Sequence, residues 1–82
     1  MAKTFHLTVA RVGENLFDGE ALSVTLPGSE GALTVMAHHE ALVSPLKAGE
    51  ITIRADGVED QKIMIEEPGI VEISGNQATV LL

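Results

Sequence analysis

Ile51-Thr52-Ile53-Arg54-Ala55-Asp56-Gly57 is the stretch that decides the fold. Two β-branched apolar residues alternate with Thr52 and Arg54, which gives an extended strand one apolar and one polar face. Asp56-Gly57 follows at once, and both residues tolerate the positive φ that a type I′ hairpin turn needs. The turn leads back into a second run that ends near Ile65, with Ile63 and Ile65 flanking Met64.

The same period of two recurs on both sides of this hairpin. Phe5, Leu7 and Val9 alternate with Thr4, His6 and Thr8; Leu22, Val24 and Leu26 alternate with Ala21, Ser23 and Thr25. Val71 and Ile73 flank Glu72, and Val80 and Leu82 flank Leu81. Turn residues punctuate these runs: Gly13-Glu14-Asn15 and Asp18-Gly19 around a short Leu16-Phe17, then Pro27-Gly28-Ser29, Pro68-Gly69 and Gly75-Asn76. No stretch of ten or more residues carries a helical period between capping residues. Short strands at close spacing predict an all-β antiparallel sandwich or barrel, a single domain over residues 1–82. The least regular part is Gly28 to Lys47, with room for a strand at Leu33-Thr34-Val35. The rest of it is expected to be loop or short strand, where a small rigid domain makes its contacts.

Composition narrows the function. The chain has 82 residues, 45% of them hydrophobic, with Phe5 and Phe17 as its only aromatics, so the core must be aliphatic. A net charge of −7 argues against nucleic acid and against adsorption to an anionic bilayer. It suits solubility, or a protein partner with basic loops. With no cysteine there is no disulfide, thiolate site or cysteine nucleophile. No apolar run reaches the roughly 20 residues of a membrane span, and Met1-Ala2-Lys3-Thr4 leads into a strand pattern rather than a signal segment.

No catalytic constellation is present. Pro27-Gly28-Ser29-Glu30-Gly31 is a turn, not a nucleophile elbow, and no phosphate-binding glycine motif occurs. His38, His39 and Glu40, with His6, are poor metal ligands, because neighbours on a strand point to opposite faces. Glu59-Asp60 and Glu66-Glu67 read as solvated charge beside turns. No cofactor is expected. One chemical alternative is a lipoyl or biotinyl carrier domain modified on Lys62. Against it, the hairpin tip falls at Asp56-Gly57 and leaves Lys62 inside the returning strand. A small-ligand or sugar module would lack its usual aromatic platforms.

Leu26-Pro27-Gly28-Ser29-Glu30-Gly31-Ala32-Leu33-Thr34-Val35 resembles the signature loop of F-type ATP synthase ε subunits. His39 is similar to the histidine of the family's Gly-His-Ala-Pro-Leu. Leu42 to Ser44 and Leu46-Lys47-Ala48-Gly49 resemble its Leu-Leu-Thr and Leu-Lys-Pro-Gly. Phe5-His6-Leu7 with Phe17-Asp18-Gly19-Glu20 resembles the opening strand and Phe-Ser-Gly-Glu. Val71-Glu72-Ile73 and Asn76-Gln77-Ala78-Thr79-Val80-Leu81 resemble Leu-Glu-Val and Asn-x-Val-Thr-Val-Leu. The likeness runs through essentially the whole chain.

The resemblance implies a flattened sandwich of two antiparallel sheets with about ten short strands. It also implies a non-catalytic place in the central stalk of a proton-translocating ATP synthase, between the γ subunit and the polar loops of the c-ring. That would be a peripheral position on the cytoplasmic face of the cell membrane, without insertion into it. Ser29, Glu30, Gly31 and Ala32, and the neighbourhood of His38 and His39, would face the ring or γ. Three departures stand out. Ala32 replaces a glutamate of many relatives, Ala37-His38 and Glu40-Ala41 replace Pro-Gly and Ala-Pro around His39, and Glu66-Glu67-Pro68-Gly69 replaces Ser-Gly-Gly. Relatives continue into an inhibitory helical hairpin, so a chain ending at Leu82 is expected to lack that regulation.

Overall fold

The computed structural model describes residues 3–82; residues 1 and 2 of the expected 1–82 domain lie outside the described residues. Every apolar run of period two has become a strand: β1 (Phe5–Arg11), β2 (Glu14–Ala21), β3 (Ser23–Gly28), β4 (Gly31–Met36), β5 (Leu42–Leu46), β6 (Gly49–Arg54), β7 (Gln61–Ile65), β8 (Gly69–Ser74) and β9 (Gln77–Leu81). Among the described residues there is no helix.

Pairing runs in the order β2-β1-β9-β8-β5-β3-β6-β7, and β4 lies on the other side of β3. The join between β5 and β3 is a single residue pair, Gly28 opposite Leu46. There the sheet folds over on itself into a five-stranded layer, β2-β1-β9-β8-β5, facing a four-stranded one, β4-β3-β6-β7. Inward side chains of both layers make one core, which includes Phe5, Leu7, Val24, Leu26, Ile51, Ile53, Val71 and Val80. None of the buried residues is polar or charged. The period-two reading therefore named most of the core correctly, because each layer has one dry face.

The sandwich differs from the expectation in detail. It has nine strands rather than about ten among the described residues, and β1 and β9 pair in parallel, so it is not purely antiparallel. Asp18-Gly19 is not a turn. Both residues lie in β2, where Gly19 stands opposite Leu7 and faces the core. Leu16-Phe17 is part of the same strand, and a bulge between Val9 and Ala10 leaves Leu16 as the extra residue. Leu22 lies between strands, and Ala21 is the buried residue. The stretch from Gly28 to Lys47 holds two full strands, β4 and β5.

The turns also divide differently. Asp56-Gly57 does not form a two-residue type I′ turn: Gly57 has φ +76° but Asp56 has no positive φ, and the connection spans Ala55 to Asp60. The turn with two left-handed residues is Gly75-Asn76, at φ 58° and 59°, between the paired Ser74 and Gln77. Glycine followed by asparagine satisfies the same requirement, since asparagine is the non-glycine residue most at ease there.

Candidate partner-binding ends

Of the six candidate contact residues, four lie at one end of β4 and two at the other. Ser29 and Glu30 form the tip of the β3–β4 hairpin, between the paired Gly28 and Gly31. Ala32 follows on the outer face of β4, opposite Pro27. Ser29, Glu30, Gly31 and Ala32 are all exposed. The tip closes tightly: a Cβ at Gly28 would come within 2.5 Å of the Gly31 carbonyl oxygen. Ser29 N donates to Pro45 O at 3.2 Å and Lys47 N donates to Pro27 O at 2.8 Å, which ties the hairpin to β5. A shallow groove, lined by Leu33, Leu42, Ser44 and Pro45, runs beside the tip.

His38 and His39 lie beyond the other end, in the loop from Ala37 to Ala41. The length of β4 separates the two candidates by about 17 Å or more at roughly 3.3 Å per residue. His39 N donates to Met36 O at 3.2 Å, and its ring Nδ1 donates to Glu40 O at 2.7 Å. His38 is exposed and holds φ +62°, an uncommon conformation for a residue with a Cβ. Its backbone N–H donates to Asn76 Oδ1 at 2.8 Å, and Asn76 Nδ2 donates to Thr4 O at 3.0 Å.

A second cluster meets this end from β1 and β2. His6 stands directly opposite Glu20, with Asp18 one place along. Its Nε2 donates to Asp18 Oδ1 at 2.6 Å and its Nδ1 to Glu20 Oε2 at 3.3 Å. Thr4 Oγ1 donates to the other oxygen of Glu20 at 2.8 Å. The hydrogen bond to Asp18 is the main reason His6 titrates above its ordinary value of 6.5; desolvation opposes it, and Glu20 adds to it. With both ring nitrogens committed to carboxylates, His6 has none left for a metal. Among the described residues no group of three or more His, Asp or Glu is arranged to hold one.

The model of the ATP synthase delta/epsilon chain β-sandwich domain matches residues 4–82. The chain belongs to this family. The ATP synthase epsilon chain 1 of Methylococcus capsulatus is 32% identical over 81 residues, covering 99% of this chain and 57% of the relative. The epsilon chain of Delftia acidovorans is 38% identical over 79 residues, 95% of this chain and 56% of the relative. The chain thus spans a little over half the length of these curated relatives. The fold is shared with a chain of the Euglena gracilis mitochondrial ATP synthase, at TM-score 0.85 and 20% identity over 95% of this chain and 49% of that one. A chain from the Tetrahymena thermophila central stalk and c-ring gives 0.79 and 15%, over 96% of this chain and 63% of that one.

For a member of the delta/epsilon β-sandwich family, the carrier-domain alternative has no support. Lys62 lies inside β7 opposite Thr52, and its Nζ is 3.8 Å from Glu50 on β6. A lysine inside a strand, away from the hairpin tip, presents no swinging arm. Sequence reasoning missed Asn76 and Thr4 as parts of the histidine end. Gly75-Asn76 was legible as a turn, but its contact with residue 38 depends on β8 pairing with β5.

Proposed function

We propose that this domain is a non-catalytic rotor element of a proton-translocating F-type ATP synthase. It links the γ subunit to the polar loops of the c-ring, peripheral to the cytoplasmic face of the cell membrane, and passes torque between ion flow and ATP synthesis. The observation that carries the reading is the match to epsilon chains through residues 4–82, both ends of β4 included. The geometry fits a linker. A torque-bearing connector needs two contact sites on a body that does not bend between them, and a sandwich with a wholly apolar core resists bending. The narrow Ser29–Glu30 tip, with one carboxylate, suits short basic ring loops. The broader, tied His38–His39 loop suits a folded subunit such as γ.

Binding to the isolated γ subunit and to detergent-solubilised c-ring tests this directly. The chain should bind each with a Kd of about 10 μM or tighter. Glu30→Lys should weaken the ring complex alone, and His39→Ala the γ complex alone. No association with γ at that concentration would overturn the proposal.

A further inference from the structure

We infer that Asn76 is the positioning residue of the histidine end: its side-chain amide sets the conformation in which the His38–His39 loop meets γ. This rests on the assignment of that end to γ. Four observations converge. Asn76 occupies the left-handed region itself, at φ 59°, and so aims its side chain out of the β8–β9 turn. Its amide is engaged at both ends, with Oδ1 accepting from His38 N at 2.8 Å and Nδ2 donating to Thr4 O at 3.0 Å. One carbonyl partner and one N–H partner leave a single orientation for that amide. Its backbone carbonyl accepts from His6 N at 3.2 Å, which fixes the turn against β1. His38, on the receiving side, holds a conformation that costs a non-glycine residue about 1 kcal/mol or more and persists only where its surroundings impose it. Two bonds hold it there: the loop's own turn bond from His39 N to Met36 O, and from outside the loop the bond that Asn76 Oδ1 accepts from His38 N. The loop has Ala37-His38 in place of Pro-Gly just before His39, so its local turn lacks a glycine and is supported by a residue 38 positions away.

Two variants separate the roles. Asn76→Gly keeps the left-handed turn but removes the amide. Asn76→Asp keeps the acceptor for His38 N, loses the donor to Thr4 O and gains a negative charge. In the unaltered chain the His38 amide should exchange slowly despite its exposed loop. In Asn76→Gly its exchange should quicken and γ affinity should fall, each roughly tenfold, as losing one such hydrogen bond implies. Asn76→Asp should restore both. Binding to the c-ring should be unchanged in both variants, which shows that they fold. An unprotected His38 amide in the unaltered chain overturns the inference, as does native γ affinity in Asn76→Gly. So does weakened γ binding with His38 still protected. If the unaltered chain does not bind γ, the function proposed above fails, while His38 exchange still decides whether Asn76 holds the loop.

Discussion

The Ser29–Ala32 turn and the Ala37–Ala41 loop close the two ends of one strand, and they are held by different means. The turn is held by backbone. Gly28 lies so close to the Gly31 carbonyl that no Cβ fits between them, and its outside ties are main-chain bonds to Pro45 and Lys47. The loop has one turn bond of its own, from His39 N to Met36 O, and its outside ties are side chains: Asn76 grips His38 N and Thr4 O, and Thr4 in turn donates to Glu20, which His6 and β2 support. A backbone-closed turn has little freedom to adjust and no titratable group among its ties. A loop held by side chains depends on groups spread along the chain, one of which, His6, titrates above the ordinary histidine value because Asp18 accepts its hydrogen bond.

The largest effect should come from a change that breaks both ends together. Leu26 is buried in the core midway along β3, the strand that joins the two layers. Leu26→Ala should cost about 2–5 kcal/mol. That is a large part of the roughly 4–12 kcal/mol expected of a domain this size. Denaturant unfolding followed by probes at residues 30 and 39 should show coincident, lowered midpoints. Separate midpoints would mean that the ends are independent units and that β4 does not couple them.

A smaller effect should distinguish the ends. Gly28→Ala places a Cβ against the Gly31 carbonyl and should cost about 1–3 kcal/mol by overpacking. Its loss of partner binding should be confined to the c-ring. NMR shifts should move at Ser29, Glu30 and Lys47 and stay put at His38 and Asn76. Movement at His38 would show that strain travels along β4 and would erase the contrast.

How much of this was legible in the sequence follows the same division. The core was readable because period-two burial is local, and the Pro-Gly-Ser-Glu-Gly tip because turn chemistry sits in consecutive residues. Asp56-Gly57 misled, since a glycine at φ +76° serves a wider loop as readily as a tight one. Asp18-Gly19 misled because glycine can also sit inside a strand that has no special need of it: a Cβ there would make only ordinary contact with the Phe17 ring, at 4.0 Å. The parallel pairing of β1 with β9 and the bond from Asn76 to His38 depend on segments far apart in the chain. No local pattern announces them. Six candidate contact residues were found by resemblance, but their split between two ends is a property of β4, which the sequence showed only as Leu33-Thr34-Val35.

The smallest effect sharpens the contrast with pH. His6 is bonded from β2 by Asp18 and Glu20, and on its other side it stands opposite the uncharged Gln77 of β9. Because its pKa is raised in the folded state, its contribution is fully present below the ordinary value of 6.5 and is lost as pH rises through the higher folded value. The lost proton leaves one N–H for two carboxylates, so one of the two bonds is lost, and Asp18 and Glu20 lose their counter-charge. Glu20 also receives Thr4 Oγ1, and Thr4 O receives Asn76, so the loosening reaches the histidine end and not the tip. Between about pH 6 and pH 9, exchange at His38, corrected for its intrinsic pH dependence, should quicken modestly while Ser29 and Lys47 stay constant. His6→Gln should flatten that profile. An unchanged profile in His6→Gln would show that the β1–β2 cluster ends at Thr4 and that Asn76 holds the loop alone.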